Sequence, residues 1–496
     1  MSSANDNQSP QHVDVVVIGA GISGICAGYR LQERRRKTSY VILEKRDDIG
    51  GTWDLFRFPG VRADSDIQTM EFPFRPWLGA EVLAPGPAIR SYMHETASVY
   101  GIDRNIRFGH RVTGIEWSSQ QARWTVSAET ARGTVRFTCR FIMSCSGYYD
   151  GDGSFQPHFP GMDRFAGPIV HPQHWPEDLD YAGKRVVVIG SGATAMTLVP
   201  AMAKTAHVTM LQRSPGYVLS MPGEDVIRKA LLRVLPERFV HRLVRWKNVL
   251  IQMFFWYASR ISPRFVKAVI RRQTQSLLET DELIDPHFTP RYNPWDQRMC
   301  IVPDGDVHVA IREGRVSVVT DTIATFTEKG IRTTSGSELT ADIIVTATGF
   351  DMRILPGVEV TVDGERIDPA DTVFYKGVML SGIPNLTHSM GYPNASWTLK
   401  ADLACRYAVR LIDYMDEQGY SECRPARVPA HEETTPAWNL RSNYIARARF
   451  PKQGAKRPWR VFHNYFADAV ALRWRRVEDD ALEFTKKPVD RLAAAS

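Results

Sequence analysis

Two stretches of the chain repeat the same order of apolar and polar positions. Each begins with a run of mostly β-branched residues, at 13–18 in the first stretch and at 184–189 in the second. A glycine-rich turn follows each run, and the residues after the turn have helical spacing. Continuous apolar runs are typical of strands buried in a parallel sheet, and strand, glycine turn and helix open a dinucleotide-binding unit. We therefore predict an α/β protein with two Rossmann-like dinucleotide-binding domains.

The two units differ where their second strands end. Glu44 ends the second strand of the first unit, where a carboxylate accepts hydrogen bonds from a ribose diol. Arg213 stands at the corresponding point of the second unit, and a guanidinium there pairs with a ribose 2′-phosphate, which favours NADPH over NADH. The predicted dinucleotide contacts are Gly19, Gly21, Ser23, Gly24 and Glu44 in the first unit, and Gly190, Ser191, Gly192, Ala193, Thr194, Ala195, Gln212 and Arg213 in the second.

Two other segments have patterns of their own. Residues 106–147 alternate in short apolar and polar steps, which predicts an antiparallel meander that ends in a buried strand. Residues 223–285 have helical spacing with basic outer faces, which predicts a helical insertion. The apolar face of this insertion is compatible with core packing, with a roof over a substrate cavity or with a membrane surface. We favour core packing for its aromatic cluster, Phe254, Phe255, Trp256 and Tyr257.

Charge and cysteine content narrow the classes of partner. The formal charge of +7 and a pI of about 9.0 suit a cofactor with several phosphates or a membrane surface, and they give no indication of nucleic-acid binding. The six cysteines contain no C-x-x-C pair, so we expect neither a metal site nor a dithiol centre, as suits a reducing cytoplasm. The first ten residues lack a basic, apolar signal pattern, so we expect a short disordered lead and a cytoplasmic protein, with peripheral membrane contact through the basic insertion as an open alternative.

Two loops carry a resemblance to a known family. Residues 165–176 match the pattern F-x-G-x-x-x-H-x-x-x-W-P, with His171 and Trp175 at its polar and aromatic positions. Residues 50–64 match G-G-x-W followed by an aromatic-Pro-Gly and an aspartate, Asp64. The chain resembles the type I Baeyer-Villiger monooxygenases, and Ser65-Asp66 is similar to the ethionamide-activating subgroup. Considered alone, residues 165–176 are equally compatible with a buried turn in which His171 only satisfies backbone groups.

The resemblance implies a cofactor set and a catalytic pair. FAD would occupy the first unit and NADPH the second, with Arg298 as the catalytic arginine, Asp64 beside it, and His171 and Trp175 between the domains. Many members of the family have lysine before that arginine; here it is Gln297, which would leave NADPH selectivity more dependent on Arg213. The further FAD contacts that the resemblance implies are Gly51, Thr52, Trp53, Asp54, Leu55, Arg62, Asp64 and, through its backbone, Val112.

The resemblance also implies an activity. We expect oxidation of small apolar ketones to esters or lactones by NADPH and O2 through a flavin C4a-peroxide, and oxygen transfer to sulfur in sulfides or thioamides. Three alternatives remain: an N- or S-oxygenase without ketone activity, a flavin-dependent reductase, and a non-catalytic nucleotide-binding redox sensor. The expected domains are an FAD-binding domain in two parts at 10–150 and 350–496, an NADPH-binding domain at 151–222 and 291–349, and the helical insertion at 223–290. The basic tail after residue 424 is expected to be irregular, with Trp459 as a candidate lid residue.

Overall fold

The structure is a computed structural model that describes residues 9–35, 37–149, 153, 155–429, 431–438 and 440–486. Parts of the sequence predictions lie outside these residues: the lead at 1–8, the helix end at Arg36, the boundary at 150 and the end of the tail at 487–496. Within the described residues, no helix is both long enough and apolar enough to cross a bilayer.

A five-stranded parallel sheet, the first sheet, carries the first glycine turn. Val15 and Val17 face the helices Ile22–Arg34 and Trp397–Gln418, whereas Val16 and Ile18 face an antiparallel sheet. Because both faces are covered, the strand is apolar without alternation. In spatial order its strands are Leu386–His388, Phe141–Ser144, Val15–Ile18, Tyr40–Leu43 and Ile106–Arg107.

A second parallel sheet carries the second glycine turn. On one face of this sheet, Val186 and Val188 pack against the helices Ala193–Met202 and Asp306–Arg312. On the other face, Val187 and Ile189 pack against a three-stranded antiparallel sheet. The strands, in spatial order, are Val316–Thr320, His207–Gln212, Arg185–Ile189, Ile343–Thr346 and Ile169–Val170. The three-stranded sheet comprises Ile323–Thr327, Gly330–Thr333 and Glu338–Thr340. The predicted α/β class with two Rossmann-like units is confirmed.

The predicted meander is confirmed as three consecutive antiparallel strands. Its last segment, Phe141–Ser144, instead joins the first sheet, as its fully buried pattern requires. The complete six-stranded sheet contains Gln11–His12, Gly133–Cys139, Arg123–Thr130, Arg111–Ser118, Glu359–Val362 and Glu365–Ile367.

The predicted helical insertion is present, but its aromatic cluster does not form a core. Phe254 is 63% exposed and Tyr257 is 44% exposed, while Phe255 and Trp256 are half-buried. The preference for core packing is therefore wrong for Phe254 and Tyr257, because the long helix turns one apolar face to solvent. The helices of the insertion are Val226–Leu231, Glu237–Ile261, Pro263–Leu278 and Ile284–Phe288.

The tail contains short elements that fold back onto the first sheet. Trp459 is half-buried, with its ring edge-on to Tyr375 at 5.7 Å, so it packs at the edge of the core instead of standing over an opening. The tail elements are Glu422–Pro425, Thr434–Pro436, Asn443–Arg447, Lys452–Gly454, Tyr465–Ala469, the π-helical turn Val470–Trp474 and Leu482–Thr485.

The remaining elements connect the sheets. The α-helices among them are Thr52–Leu55, Ile67–Met70 and Gly86–Val99. The 3-10 turns are Asp103–Asn105, Met162–Arg164, Pro172–His174 and Pro369–Asp371. The paired short strands are Val218–Met221 with Cys300–Pro303 and Phe374–Tyr375 with Met379–Leu380.

Candidate active site

A cleft extends from the first glycine turn to the start of the second unit. Its cavity volume is about 300 Å³, at the lower end of the roughly 300–1,000 Å³ typical of a ligand pocket. The predicted site residues that line it are Gly19, Gly21, Ser23, Glu44, Gly51, Thr52, Trp53, Leu55, Arg62, Asp64, Val112, Ala193, Thr194 and Arg298. The predicted residues outside the lining are Gly24, Asp54, His171, Trp175, Gly190, Ser191, Gly192, Ala195, Gln212 and Arg213.

The first glycine turn has the shape that a pyrophosphate requires. Gly19 has φ +99°, and a Cβ there would lie 2.7 Å from the carbonyl oxygen of Cys145. A Cβ at Gly24 would lie 1.9 Å from the oxygen of Gly19, so the helix Ile22–Arg34 can pack this closely only on glycine. The helix N-terminus therefore opens directly into the cleft, where its free N–H groups favour an anion.

Glu44 is positioned for a ribose. Its buried carboxylate accepts the backbone N–H of Ala20 at 2.7 Å on one oxygen and that of Arg46 at 2.9 Å on the other. Burial raises the pKa of Glu44, and the two N–H donors limit the rise. Each oxygen retains a lone pair, so the carboxylate can still accept from ribose hydroxyls. Together, the glycine turn and this carboxylate fit FAD.

Asp54 is not among the residues that line the cleft, and its predicted contact with FAD stays a prediction. One carboxylate oxygen pairs with Nε of Arg46 at 2.5 Å, and the other with Nη2 of Arg57 at 2.7 Å. A buried carboxylate costs free energy unless it is paired, and here the two arginines satisfy it. Asp54 therefore stabilises the loop that carries Thr52, Trp53 and Leu55 into the cleft.

Asp64 and Arg298 meet at the cleft, although 234 positions separate them in the chain. Their side chains form an ion pair of 2.6 Å and keep 36% and 27% exposure respectively. Burial opposes the charge on Arg298, but the Asp64 carboxylate together with Tyr148, Tyr444 and Tyr149 raises the pKa of Arg298 above its ordinary value. Arg298 thus remains a permanent cation that still reaches the cleft.

Three tyrosines beside this pair were not predicted from the sequence. Tyr148 and Tyr149 line the cleft after the strand Phe141–Ser144, and the hydroxyl of Tyr148 donates to that of Tyr149 at 3.3 Å. Burial raises the pKa of Tyr149 well above its ordinary value, so this phenol stays protonated. Tyr444 comes from the tail; burial raises its pKa to about 12 against the opposing charge of Arg298. A signal existed for the first two, because ligand contacts cluster after the carboxyl ends of parallel strands.

The loop that carries Arg298 is held by the helical insertion. Trp295 has φ +67°, a conformation that costs a residue of this size on the order of 1–3 kcal/mol. Arg260, on the helix Glu237–Ile261, donates to the carbonyl oxygen of Trp295 at 2.8 Å and pairs with Asp296 at 3.1 Å. The same guanidinium lies over the ring of Trp256, 4.7 Å from its centroid. These contacts fix the loop three residues before Arg298.

If Arg298 is the catalytic arginine that the resemblance implies, replacing Arg260 by alanine is expected to lower product formation per NADPH by roughly tenfold with FAD still bound, because misplacing such a group by a fraction of an ångström is costly. Product yield and NADPH oxidation measured together test this. The matched control is Arg271→Ala, which breaks the similar ion pair with Asp285 on the next helix. A lower melting temperature with unchanged yield would show that Arg260 has only a structural role.

The second glycine turn lies at the rim of the cleft. A Cβ at Gly190 would lie 2.2 Å from the carbonyl oxygen of Ala347, and the helix Ala193–Met202 presents Ala193 and Thr194 to the cleft. Arg213 is exposed and has no ion-pair partner among the described residues. Gln212 is buried, and its amide nitrogen donates to the oxygen of His287 and to Thr320. The amide nitrogen of Gln212 is therefore engaged within the second unit, and the predicted contact of Gln212 with NADPH stays a prediction.

His171 connects the loop at residues 165–176 to Gly349, which lies in the segment that follows the strand Ile343–Thr346. Its Nδ1 accepts the N–H of Gln173 at 3.2 Å, so Nε2 carries the proton and donates to the oxygen of Gly349 at 3.4 Å. Burial lowers the pKa of His171, which favours this neutral form. Gly349 in turn lies against Tyr444, since a Cβ on the glycine would be 3.2 Å from that of the tyrosine. Trp175 is half-buried and meets Tyr181 edge-on at 6.4 Å.

Replacing His171 by alanine is expected to leave FAD bound and to slow flavin reduction by NADPH or coupled oxygen transfer, because the contact through Gly349 to Tyr444 is lost. Rapid-mixing absorbance of the flavin measures the first step. The control is His308→Ala, another buried histidine, which packs on Phe288 at 5.2 Å within the second unit. Equal kinetics with a lower melting temperature in both variants would support the purely structural interpretation of the turn.

Within the described residues, no group of three or more His, Cys, Asp or Glu side chains is arranged to hold a metal ion. The six cysteines are all buried and unbridged.

Most of the chain matches known protein families and individual proteins of those families. A model of the "Flavin-binding monooxygenase-like" family matches residues 83–417, and a model of the "NAD(P)-binding Rossmann-like domain" matches residues 17–80. The FAD-containing monooxygenase EthA of Mycobacterium tuberculosis is 49% identical over 482 residues, covering 96% of this chain and 99% of that protein. The probable FAD-binding monooxygenase AlmA of Acinetobacter baylyi is 46% identical over 483 residues, covering 96% and 97%.

Solved structures share the fold. An oxidized steroid monooxygenase bound to NADP superposes with a TM-score of 0.69 at 26% identity, covering 84% of this chain and 88% of that one. The open form of cyclohexanone monooxygenase superposes with a TM-score of 0.74 at 20% identity, covering 96% and 100%.

Proposed function

The chain belongs to the flavin-binding monooxygenase-like family, and from this premise we propose that it uses NADPH and O2 to convert small apolar ketones into esters or lactones. The observation that carries the proposal is the ion pair of Asp64 and Arg298 at the cleft. We propose that the same site also transfers oxygen to sulfur in sulfides or thioamides.

FAD, once reduced by NADPH, supplies the chemistry that activates O2. The chain's own contribution begins with binding: the first glycine turn and Glu44 hold one dinucleotide, while Ala193, Thr194 and Arg213 receive the other. Thr52, Trp53 and Leu55 then close one side of the cleft. These residues orient both cofactors without entering the reaction as nucleophiles.

Arg298 stabilises the negative charge that develops on oxygen during insertion. A guanidinium keeps its proton at any working pH and offers several directed donors, so it can follow the charge from one oxygen atom to the next. Asp64 holds the guanidinium from one side. The protonated phenol of Tyr149 and the ring of Trp397 also line the cleft, which limits access of water to the charge.

The substrate side of the cleft is apolar. Phe56, Phe58 and Phe350 are among its lining residues, and the ring of Phe56 lies 5.0 Å from that of Phe350. A small ketone would be held by apolar contact and oriented by its carbonyl oxygen toward Arg298. This arrangement favours substrates without a charge of their own.

A panel of linear ketones, cyclic ketones, sulfides and thioamides, analysed by mass spectrometry with NADPH and O2, tests the proposal. We expect products that gain one oxygen atom from at least one ketone class and from sulfides. Oxygenation confined to sulfur or nitrogen across the panel would reject the ketone activity and identify a heteroatom oxygenase.

A further inference from the structure

The long helix of the insertion, Glu237–Ile261, leaves an apolar stripe in solvent. Its members recur every three or four residues, so they lie on one side of the helix. They extend over about 33 Å at 1.5 Å per residue. The members with the clearest exposure are Phe239, Leu243, Trp246, Leu250, Phe254 and Ile261, which range from 48% to 82% exposed.

Neighbouring elements extend this stripe into a surface. Phe265, at the start of the next helix, is 57% exposed, and Val234, in the preceding loop, is 76% exposed. From the tail, the ring of Phe466 stacks beside Trp246 at 5.9 Å, and Trp474 is 65% exposed. We call this surface, made of the stripe and these four residues, the apolar platform. An exposed patch of this extent marks an interaction site in a soluble protein.

The platform is surrounded by positive charge. Residues 226–278 contain twelve Lys and Arg and one acid, Glu237, which gives a formal +11. Six of these cations pair with carboxylates: Arg228, Lys229, Arg245, Lys247, Arg260 and Arg271. The whole chain carries +7, and the remaining residues therefore carry −4 together. Arg238, Arg242 and Arg264 are exposed beside the stripe and have no carboxylate partner among the described residues.

We infer that the apolar platform docks on the surface of a lipid bilayer that contains anionic lipids, with the helix Glu237–Ile261 lying in the plane of the interface. Bulky apolar side chains enter the boundary between headgroups and acyl chains, and arginines beside them attract anionic headgroups. A second copy of the chain fits less well, because it would bring the exposed Arg238, Arg242 and Arg264 of two chains together. Nucleic acid would match the arginines but not the exposed Leu250, Phe254 and Ile261.

An adjoining face of the same helix carries Trp256 and Arg260, which contact the loop of Arg298 through Trp295. Docking therefore brings the cleft close to a phase in which apolar ketones dissolve. This consequence rests on the proposed oxygenase function, whereas docking itself does not.

Sedimentation of the FAD-loaded enzyme with vesicles tests the inference without any activity measurement. One set of vesicles contains phosphatidylcholine alone and the other contains phosphatidylcholine with phosphatidylglycerol. We expect the enzyme to partition at least tenfold more strongly onto the anionic vesicles and to be released in part by high salt, because screening weakens the arginine contacts.

Two triple variants separate the apolar and the charged contributions. We expect Leu243→Ser, Leu250→Ser, Phe254→Ser and, separately, Arg238→Gln, Arg242→Gln, Arg264→Gln each to lower partitioning at least tenfold. Matched controls change exposed residues outside the platform, on other elements of the chain: Val99→Ser with Phe108→Ser, and Arg104→Gln, Arg132→Gln, Arg136→Gln.

The inference fails if the wild-type enzyme stays in solution with both vesicle sets, or if the control variants lose binding as the platform variants do. Self-association in analytical ultracentrifugation that the Ser variant abolishes, without vesicle binding, would assign the platform to a second copy. Binding of duplex DNA or RNA in place of vesicles would overturn the inference in favour of nucleic acid.

Discussion

Replacing Arg298 by alanine is expected to leave FAD bound and to slow oxygen transfer by about a hundredfold to a thousandfold, which corresponds to roughly 3–4 kcal/mol of transition-state stabilisation. The reason is geometric as well as electrostatic. The guanidinium is a permanent cation held 2.6 Å from Asp64 and still open to the cleft. Without it, the developing negative charge on oxygen has no directed donor.

Lysine is not expected to restore the activity. An ammonium is a point charge on a flexible stem, and it cannot keep the Asp64 contact while offering a second donor in a fixed direction. Flavin absorbance measures FAD content, and product formed per NADPH measures coupling. Arg185→Ala is the matched control, because it removes an arginine paired with Asp342 at 2.7 Å on the surface of the second unit. Normal product yield per NADPH in Arg298→Ala would falsify the catalytic assignment.

The second large effect concerns Arg213. Replacing it by alanine is expected to raise the KM for NADPH by about tenfold to a hundredfold, since a charge-assisted contact to phosphate contributes roughly 1.5–3 kcal/mol. The KM for NADH should change little, because NADH lacks the 2′-phosphate. Gln297 stands where many members of the family have lysine, so the chain has fewer cations to compensate.

Initial rates with each cofactor over a range of concentrations measure this selectivity, and Arg185→Ala again serves as the control. If Arg213→Ala weakens NADPH and NADH equally, the arginine acts on the fold or on the shared part of the cofactor, and the selectivity must be attributed elsewhere.

The parallel sheets and the two dinucleotide units could be predicted because their signals are local. A strand such as Val15–Ile18 is apolar at every position since helices cover one face and a sheet the other, and the glycine turn follows at once. The position of Glu44 could be predicted because the second strand of a dinucleotide-binding unit ends beside the glycine turn. The ion pair of Asp64 and Arg298 had no local signal, and its prediction depended on the resemblance to a family.

Side-chain direction could not be predicted in the same way. Asp54 turns to Arg46 and Arg57, and the amide of Gln212 turns to His287, because partners distant in sequence determine where a buried polar group points. Tyr444 reaches Arg298 from the tail, 146 positions away, with no motif around it. The exposure of the apolar face of the long helix could not be predicted either. Helical periodicity identifies an apolar face, but it does not identify what covers that face.

The most direct test of the account measures NADPH oxidation, O2 uptake and product together, with ¹⁸O-labelled O2 and a small ketone. We predict that NADPH and O2 are consumed, and ester or lactone is formed, in equal amounts, and that the product carries one labelled oxygen atom. NADPH oxidation without a labelled product at any substrate would indicate a reductase or oxidase, and binding of NADPH without its oxidation would indicate a non-catalytic sensor. Either result would contradict the assignment of this chain as an oxygen-inserting enzyme.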